Sequence, residues 1–326
     1  MSNGFWDNLP KPFFVLAPMA DVTDAAFRRI IATHAKPDVM WTEFVSVDGL
    51  CSAGRDMLMR DFVYTDIERP IVAQIFGSKP ENFFKVAEMI AELGFDGIDI
   101  NMGCPDKNVE KQGGGASMIK DPERALAVIA ATKEGGKGLP VSVKTRIGYN
   151  KNELDTWLPK LLETNPAAIT IHARTRKEMS DVPARWEHVK EAVEMAKGSG
   201  TLILGNGDVK DLKEAKQKAL ETGADGVMLG RAIFGNPWLF SSDPKRKLGS
   251  VSLQERFGIM LEHTKLFEEL LGDIKNFAIM KKHYKAYANG FDGAKELRVK
   301  LMETNNSLEV EAIINDFLMK QNLVAA

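Results

Sequence analysis

The sequence predicts an α/β protein, namely a (β/α)8 TIM barrel followed by a small helical C-terminal domain. The chain has 326 residues, which suits a barrel of about 250 residues and a modest appendage. Through most of the chain, short β-rich runs alternate with longer segments of helical spacing. In the last quarter only the helical spacing continues. We therefore assign residues 1–243 to the barrel and residues 244–326 to the helical domain.

Eight runs have the composition of buried parallel strands. They lie at Phe13 to Pro18, Val39 to Glu43, Ile71 to Phe76, Gly97 to Asn101, Val141 to Arg146, Ala168 to His172, Leu202 to Asn206 and Gly226 to Gly230. Several, such as the run that ends in Ile171-His172, place a polar or ionisable residue at the end rather than in the middle. Because barrels carry their chemistry at the carboxyl ends of the strands, these residues are the first functional candidates.

Helix start signals stand between the predicted strands. Thr23-Asp24 precedes a helix over 25–34, Lys79-Pro80 one over 81–93, and Asp121-Pro122 one over 123–133. Each is predicted to return the chain from one strand to the next. In the tail, three segments have apolar residues at helical spacing, and they are Leu253 to Leu271, Phe277 to Asn289 and Leu308 to Lys320.

Composition excludes several protein classes. Hydrophobic residues make up 44% and charged residues 27%, and no apolar run approaches the roughly 20 residues of a membrane helix. The start of the chain lacks a secretory signal, and only Cys51 and Cys104 are available for a disulfide, so we expect a cytoplasmic protein without a membrane partner. The net charge of -2 does not indicate a nucleic-acid binder, but residues 244–300 carry 12 basic against 7 acidic residues.

Two glycine-rich segments close the seventh and eighth predicted strands. They read Gly205-Asn206-Gly207-Asp208 and Gly230-Arg231-Ala232. Barrels often hold a phosphate at this position, because glycine lets backbone N–H groups approach the anion, and Arg231 adds a charge-assisted contact. Tight turns without a ligand are the alternative. The presence of both segments at these two strands favours a phosphate site.

Lys144 lies near the end of the fifth predicted strand, where an ammonium faces the barrel mouth. A reduced flavin carries negative charge near N1 and O2, so a cation fixed there favours the reduced state. A solvated surface lysine is the alternative.

Cys104 follows the fourth strand in the segment Asn101-Met102-Gly103-Cys104-Pro105. A thiol with an ordinary pKa of about 8.5 is mostly protonated at neutral pH and can donate a proton. A lone cysteine is more often a small buried hydrophobe, and we interpret Cys51 in that way. Cys104 differs because it directly follows a strand end and has an amide three residues before it.

One imidazole and two guanidinium groups follow the sixth strand in His172-Ala173-Arg174-Thr175-Arg176. Taken singly, the histidine is more often structural than catalytic. No metal site is expected, because neither Cys104 nor His172 belongs to a paired ligand spacing.

Together these motifs resemble those of the tRNA-dihydrouridine synthases, in order and in spacing, from about residue 12 to about residue 240. The Asn-Met-Gly-Cys-Pro segment is specific to the family, whereas the glycine segments occur in many flavin barrels. The motifs are Ala17-Pro18-Met19-Ala20, Gln74-Ile75-Phe76-Gly77, Asn101-Met102-Gly103-Cys104-Pro105, Lys144-Thr145-Arg146, His172-Ala173-Arg174-Thr175-Arg176, Gly205-Asn206-Gly207-Asp208 and Gly230-Arg231.

The resemblance implies an FMN-dependent enzyme that reduces a uridine of tRNA with NADPH. It implies transfer of a hydride from flavin N5 to uracil C6 and of a proton from Cys104 to C5. Asn101, Arg174 and Arg176, with His172, are implied as donors near the uracil carbonyls. The implied FMN ligands are Pro18, Met19, Gln74, Lys144, His172, Asn206, Gly207, Asp208, Gly230 and Arg231.

The tail is implied to grip tRNA, and we expect a monomer. The helix that starts at Phe277 places Lys281, Lys282 and Lys285 on one face and its apolar residues on another. A solvated basic face behind a core-facing stripe is the alternative to phosphate contacts. Relatives often carry an aromatic residue, a glycine and an acidic residue where this chain reads Ser180 to Trp186, which leaves the position of the substrate open.

Two other functions fit part of the pattern. A flavin barrel acting on a free pyrimidine, similar to dihydroorotate dehydrogenase, explains the phosphate site and Lys144 but leaves the basic tail without a role. A tRNA-binding protein without catalysis is the alternative that is not an enzyme.

Overall fold

The structure, a computed structural model, describes residues 3–325, with side chains described as far as residue 321. Eight parallel strands form one sheet in the order β1-β8-β7-β6-β5-β4-β3-β2. Their bounds are β1 Phe13–Leu16, β2 Met40–Ser46, β3 Ile71–Phe76, β4 Gly97–Met102, β5 Val141–Arg146, β6 Ala168–His172, β7 Leu202–Asn206 and β8 Gly226–Leu229. A parallel bridge between Val15 and Val39 joins the two ends of that order. The predicted barrel and all eight predicted strands are confirmed.

Large apolar side chains fill the space between the strands. Trp6, Phe13 and Trp41 are each at most 1% exposed, and the rings of Trp6 and Trp41 lie 5.9 Å apart. Leu204 and Met228 join the same cluster from β7 and β8. The interior is therefore a packed core, as expected for a barrel of this strand number, and the carboxyl rim is where a barrel of this kind carries its site.

Helices follow most strands. Their bounds are α1 Ala25–Ala35, α2 Val47–Leu50, α3 Arg55–Leu58, α4 Pro80–Glu92, α5 Lys107–Lys111, α6 Pro122–Gly135, α7 Leu154–Glu163, α8 Glu187–Ala196, α9 Leu212–Thr222, α10 Leu253–Leu271, α11 Ala278–Tyr287, α12 Ala294–Glu303 and α13 Ser307–Ala325. The predicted start signals work as helix caps, since the Asp24 carboxylate accepts from the Phe27 N–H at 2.9 Å and Pro80 occupies the first position of α4.

The chain divides into two compact units. One comprises residues 1–20 and 37–230, and the other residues 21–36 and 231–326. Helix α1 lies between β1 and β2 in sequence but packs with the C-terminal helices, because its apolar residues Ala26 and Phe27 belong to their core. The predicted roles of residues 1–243 and 244–326 are not tested by this packing and stay a prediction.

The second unit has its own hydrophobic core. Phe257, Met280 and Tyr284 are fully buried there. The three predicted tail helices are confirmed as α10, α11 and α13, whereas α12 was not predicted, and half of its ten residues are charged. No helix within residues 3–325 is long and apolar enough to span a membrane.

Candidate active site

Strand register brings the candidate residues to one rim of the barrel. Asn101 on β4 pairs with Lys144 on β5, and His172 on β6 pairs with Asn206 on β7. Gln74 lies on β3, one strand further along, in register with Asp99 of β4. Because all eight strands are parallel, these strand-end side chains share the carboxyl rim, where barrels carry their sites.

A buried carboxylate organises the two amides of this rim. Asp99 accepts hydrogen bonds from Gln74 Nε2 at 2.6 Å and from Ser142 Oγ at 2.5 Å. Gln74 Oε1 in turn accepts from Asn101 Nδ2 at 3.0 Å. Burial raises the pKa of Asp99 to about 6, while the bonds from Ser142 and Gln74 and the charge of Lys144 oppose that rise. The network fixes the orientation of both amides.

The Cys104 loop, residues 103–106, is held by the same network. Asn101 Oδ1 accepts from the backbone N–H groups of Gly103 at 3.1 Å and of Cys104 at 2.9 Å. On the other side, the Cys104 carbonyl accepts from Ala116 N at 2.9 Å. Gly115 has a φ of +59°, and a Cβ there would lie 2.6 Å from the Cys104 carbonyl oxygen. Only glycine permits this close approach.

The thiol of Cys104 is half-buried and free. Burial raises its pKa, and the backbone N–H of Asp106, followed by the charges of Lys144 and Arg146, partly counteracts that rise by favouring the thiolate. The group therefore keeps its proton at neutral pH and faces cations that stabilise the anion left after the proton has gone. Such a thiol is chemically suited to act as a general acid.

Lys144 is the side chain that best tests the fit of a flavin. It is half-buried, and Nζ makes neither a hydrogen bond nor an ion pair within the described part of the chain. Burial, with Arg146 nearby, lowers its pKa to about 8. An ammonium held at the barrel mouth without a bonded partner suits the negative pyrimidine edge of a reduced flavin. The donor set therefore fits the cofactor.

Packing against neighbouring residues requires glycine at Gly205 and Gly207. A Cβ on Gly205 would lie 2.2 Å from the ring of Trp186, and one on Gly207, whose φ is +132°, would lie 2.7 Å from Ala184 Cβ. Asn206 Nδ2 donates to the Met228 carbonyl at 2.8 Å. The turns after β7 are thus shaped by their neighbours, and the predicted phosphate contact of Asn206, Gly207 and Asp208 stays a prediction.

The remaining predicted cofactor residues flank the eighth strand. Pro18 is buried and Met19 is half-buried just after β1, and the Met19 sulfur would lie 3.8 Å from a Cβ on Gly230. Arg231 begins the short 3-10 helix Arg231–Ile233 and is exposed. Their contacts with a phosphate are likewise untested.

Arg174 belongs to the rim loop, residues 173–185, and its guanidinium bonds both to this loop and to the turn after β7. The Arg174 side chain is 3% exposed, and its guanidinium forms an ion pair with Asp208 and donates from Nε to the Val182 carbonyl at 2.6 Å. Asp208 also accepts from Ala184 N at 2.8 Å. Nη1 of Arg174 lies 3.3 Å from His172 Nε2. Arg174 therefore ties the unusual segment 180–185 to the turn after β7.

Arg176 is bonded to the helix that follows the Cys104 loop. Its Nε donates to Glu110 Oε1 at 2.9 Å, and its Nη2 forms a second bond to the same carboxylate. Its guanidinium also lies 5.4 Å from the centre of the Tyr149 ring. Sequence reasoning expected free donors at Arg174 and Arg176, and the structure gives both an internal carboxylate partner.

Several residues of this region were not predicted. They are Asp99, Glu110, Ser142 and Arg146, whose partners lie 25 to 66 residues away in sequence. Asp99 carried a readable signal, since it stands two residues before Asn101 and so faces the same side of β4. Among residues 3–325 no cluster of metal-ligating side chains occurs.

Comparison of the sequence with known proteins matches it to one family. The family profile described as "Dihydrouridine synthase (Dus)" matches residues 15–322. A "Probable tRNA-dihydrouridine synthase" of Staphylococcus aureus (strain MRSA252) is 42% identical over 323 residues, which are 97% of this chain and 96% of that protein. A "Probable tRNA-dihydrouridine synthase 2" of Bacillus subtilis (strain 168) is 42% identical over 325 residues, or 98% of each chain.

Two solved structures share the barrel fold at low sequence identity. Histamine dehydrogenase from Rhizobium sp. 4-9 superimposes with a TM-score of 0.55 at 13% identity, over 78% of this chain and 48% of the other. Morphinone reductase in complex with tetrahydroNAD gives 0.51 at 13% identity, over 76% of this chain and 90% of the other. These two show the fold, whereas the family profile and the relatives cover nearly the whole sequence. The chain therefore belongs to the dihydrouridine synthase family.

Proposed function

We propose that this protein reduces the C5=C6 bond of a uridine in tRNA to dihydrouridine, with FMN as cofactor and NADPH as reductant. The observation that carries the proposal is the arrangement of Cys104, a half-buried thiol on a fixed loop, beside Lys144, an ammonium without a bonded partner at the same rim. Bound FMN supplies a hydride at N5, which leaves the protein to position the base and to deliver one proton.

The cofactor is assigned to residues that share the carboxyl rim. Lys144 is proposed to neutralise the pyrimidine edge of the ring, since its ammonium lacks a bonded partner. Arg231 and the turn after β7 are proposed to bind the phosphate. The full proposed set is Pro18, Met19, Gln74, Lys144, His172, Asn206, Gly207, Asp208, Gly230 and Arg231.

Reduction at C6 builds negative charge on C5 and O4 of the uracil, so the site needs donors on the carbonyl edge and an acid at C5. Asn101 has one amide N–H bonded to Gln74, which leaves the other for the base. Cys104 is proposed to donate its proton to C5, because burial keeps the thiol protonated and Lys144 and Arg146 stabilise the resulting thiolate. Arg174 and Arg176 are proposed to shape the wall beside the base.

Residues 244–326 are proposed as the tRNA-binding domain. The apolar stripe of α11 is buried, with Met280 and Tyr284 fully inaccessible, and its lysines lie on the other side. Lys285 is exposed, and Lys282 donates to the Asp21 carbonyl at 2.9 Å. A base buried in a barrel mouth must leave its stack, so the substrate is proposed to be a tRNA loop. We further propose a cytoplasmic monomer.

Half-reactions of a Cys104→Ala variant test the proposal. The variant should bind FMN, and NADPH should reduce and bleach that flavin as in the wild type, because the thiol acts on the uracil. Dihydrouridine formation on unmodified tRNA should slow by about 10²- to 10⁴-fold, the usual contribution of a positioned general acid. Cys51→Ser is the matched control. The expectation that Cys51 is a buried hydrophobe was wrong, since its side chain is exposed, and it has no assigned role.

Other outcomes would point elsewhere. Dihydrouridine formation at the wild-type rate in Cys104→Ala refutes the acid role. A wild-type protein that reduces a free pyrimidine but not tRNA favours the dihydroorotate-dehydrogenase-like alternative. A protein that binds tRNA and contains no flavin is a binder without this activity.

A further inference from the structure

Arg146 is a buried arginine that ties two loops of the rim together. Its Nε donates to the carbonyl of Gly103 at 2.8 Å. Its Nη1 donates to the carbonyls of Thr175 and Met179, each at 3.0 Å. The first acceptor immediately precedes Cys104, and the other two belong to the rim loop. One guanidinium therefore fixes the spacing between the thiol and the loop that carries the two arginines.

The Cys104 loop also presses directly against β5. A Cβ on Gly103 would lie 3.2 Å from the carbonyl carbon of Thr145, so the two backbones are nearly in contact. Thr145 Oγ1 donates to the Met102 carbonyl at 3.2 Å. Two successive carbonyls ahead of the thiol thus accept from two successive side chains of β5, namely Thr145 and Arg146.

The charge of Arg146 has no carboxylate partner at bonding distance. Arg146 is 5% exposed, and all its hydrogen bonds in the part of the chain that the structure describes end on backbone carbonyls. Buried charges are ordinarily paired, because an uncompensated one is costly. When Cys104 loses its proton, the thiolate and the Arg146 guanidinium attract each other, so the charge of Arg146 favours the deprotonated form.

Other charges face the same region. Lys144 on β5 also favours the thiolate of Cys104, and Asp106 on the loop itself opposes it. In the rim loop, the charges of Arg174 and Arg176 lower the pKa of Arg146, and the charge of Glu178 raises it. Burial lowers the pKa of Arg146 to about 10, so the guanidinium stays charged at neutral pH.

We propose, resting on the assignment of Cys104 as the proton donor, that Arg146 is the positioning residue of that thiol. It holds the Cys104 loop against the rim loop and supplies the charge that accepts the thiolate after proton transfer. Gly115 and the Asn101 amide also hold the Cys104 loop, but neither carries a charge that could stabilise the thiolate.

The test titrates Cys104 directly and needs neither FMN nor tRNA. In a Cys51→Ser background Cys104 is the only cysteine, so its alkylation by iodoacetamide can be followed by mass spectrometry over a pH series. Arg146→Gln should move the alkylation profile to higher pH and slow alkylation at a pH of about 8 by at least about threefold. Arg146→Lys keeps a charge but not the fork of donors, so it should restore the profile in part.

A second readout follows the loop itself. Amide hydrogen exchange of residues 103–116 should accelerate in both variants, because the bond to the Gly103 carbonyl is lost or weakened. Arg69→Gln is the matched control. Arg69 also bridges several acceptors, among them Asp96 at 2.8 Å and the Gly94 carbonyl at 2.9 Å, but it lies before the amino end of β3. Its loss should leave the Cys104 profile unchanged.

An alkylation profile that is the same in Arg146→Gln as in the wild type overturns the proposal. If that variant does not fold, wild-type exchange rates of residues 103–116 in Arg146→Lys overturn it instead. Failure of the acid role would be recognised separately, by full dihydrouridine formation in Cys104→Ala, since that assay does not depend on how the thiol titrates.

Discussion

Replacement of His283 by phenylalanine should make the helical unit less sensitive to acid. His263 and His283 are fully buried, and their rings lie 4.7 Å apart. Phe27 lies 4.9 Å from the His263 ring and 4.6 Å from the His283 ring. None of the four ring nitrogens has a hydrogen-bond partner within residues 3–325. Both imidazoles are therefore held neutral in an apolar cluster.

The sign and size of the effect follow from the pKa values. Burial lowers the pKa of His283 from 6.5 to about 3, and the pKa of His263 is likewise well below 6.5 because of burial. In the unfolded chain His283 takes up a proton near pH 6.5, and in the folded chain it does not. Its contribution to the free energy of unfolding is therefore complete above pH 6.5 and is lost as the pH falls towards 3. Between pH 8 and pH 5, His283 alone should cost about 2 kcal/mol of the free energy of unfolding.

Urea unfolding of the helical unit, followed by exchange of the α10 and α11 amides, measures this difference. His283→Phe keeps a planar ring but takes up no proton, so it should lose about 2 kcal/mol less than the wild type between the two pH values. Met280→Ala is the matched control, because it creates a cavity on the same helix without changing a titratable group. Equal acid sensitivity in His283→Phe and the wild type would refute the reasoning.

Three further outcomes are expected. Arg231→Ala should weaken FMN about ten- to a hundredfold in equilibrium dialysis, since a cation is removed from the phosphate, and unaltered binding would contradict that role. Replacement of the three lysines of α11 by alanine should reduce the slope of log binding constant against log salt concentration for tRNA by up to about three. An unchanged slope would mean that these lysines are solvated and do not contact phosphates. Gly138→Ala should lower the free energy of unfolding by about 1–2 kcal/mol, the cost of left-handed backbone strain alone, because a Cβ there has nothing within 4 Å. Gly115→Ala should lower it by more, because its Cβ would also lie 2.6 Å from the Cys104 carbonyl oxygen. Urea unfolding compares the two variants, and equal losses would contradict this reasoning.

The strands could be predicted because buried parallel strands are nearly continuous apolar runs. Ile71 to Phe76 and Ala168 to His172 have the same bounds in the sequence and in the structure. The packing of α1 could not be predicted in this way. Its position between two strands indicates a barrel helix, but Phe27 finds the deeper apolar environment beside His263 and His283, and tertiary packing outweighs sequence order.

The candidate site was predicted as a set of residues and not as a network. Asn101, Lys144 and His172 end strands, so their common rim follows from the parallel sheet alone. The partners of Arg174 and Arg176 do not follow, because Asp208 lies 34 residues and Glu110 lies 66 residues away, and only the folded loops bring them together. Motif spacing indicates which groups are present, and long-range hydrogen bonds decide which of them stay available to a ligand.

The Cys104 loop shows how strand register translates such spacing into chemistry. Asn101 and Lys144 are register partners, so the backbone after Asn101 runs beside Thr145 and Arg146. A shift of that register by one residue would turn each of these side chains to the other face of the sheet and separate the thiol from its cations. The position of one cysteine therefore depends on the pairing of β4 with β5, and the strand-end residues of this chain act as one unit rather than as independent sites.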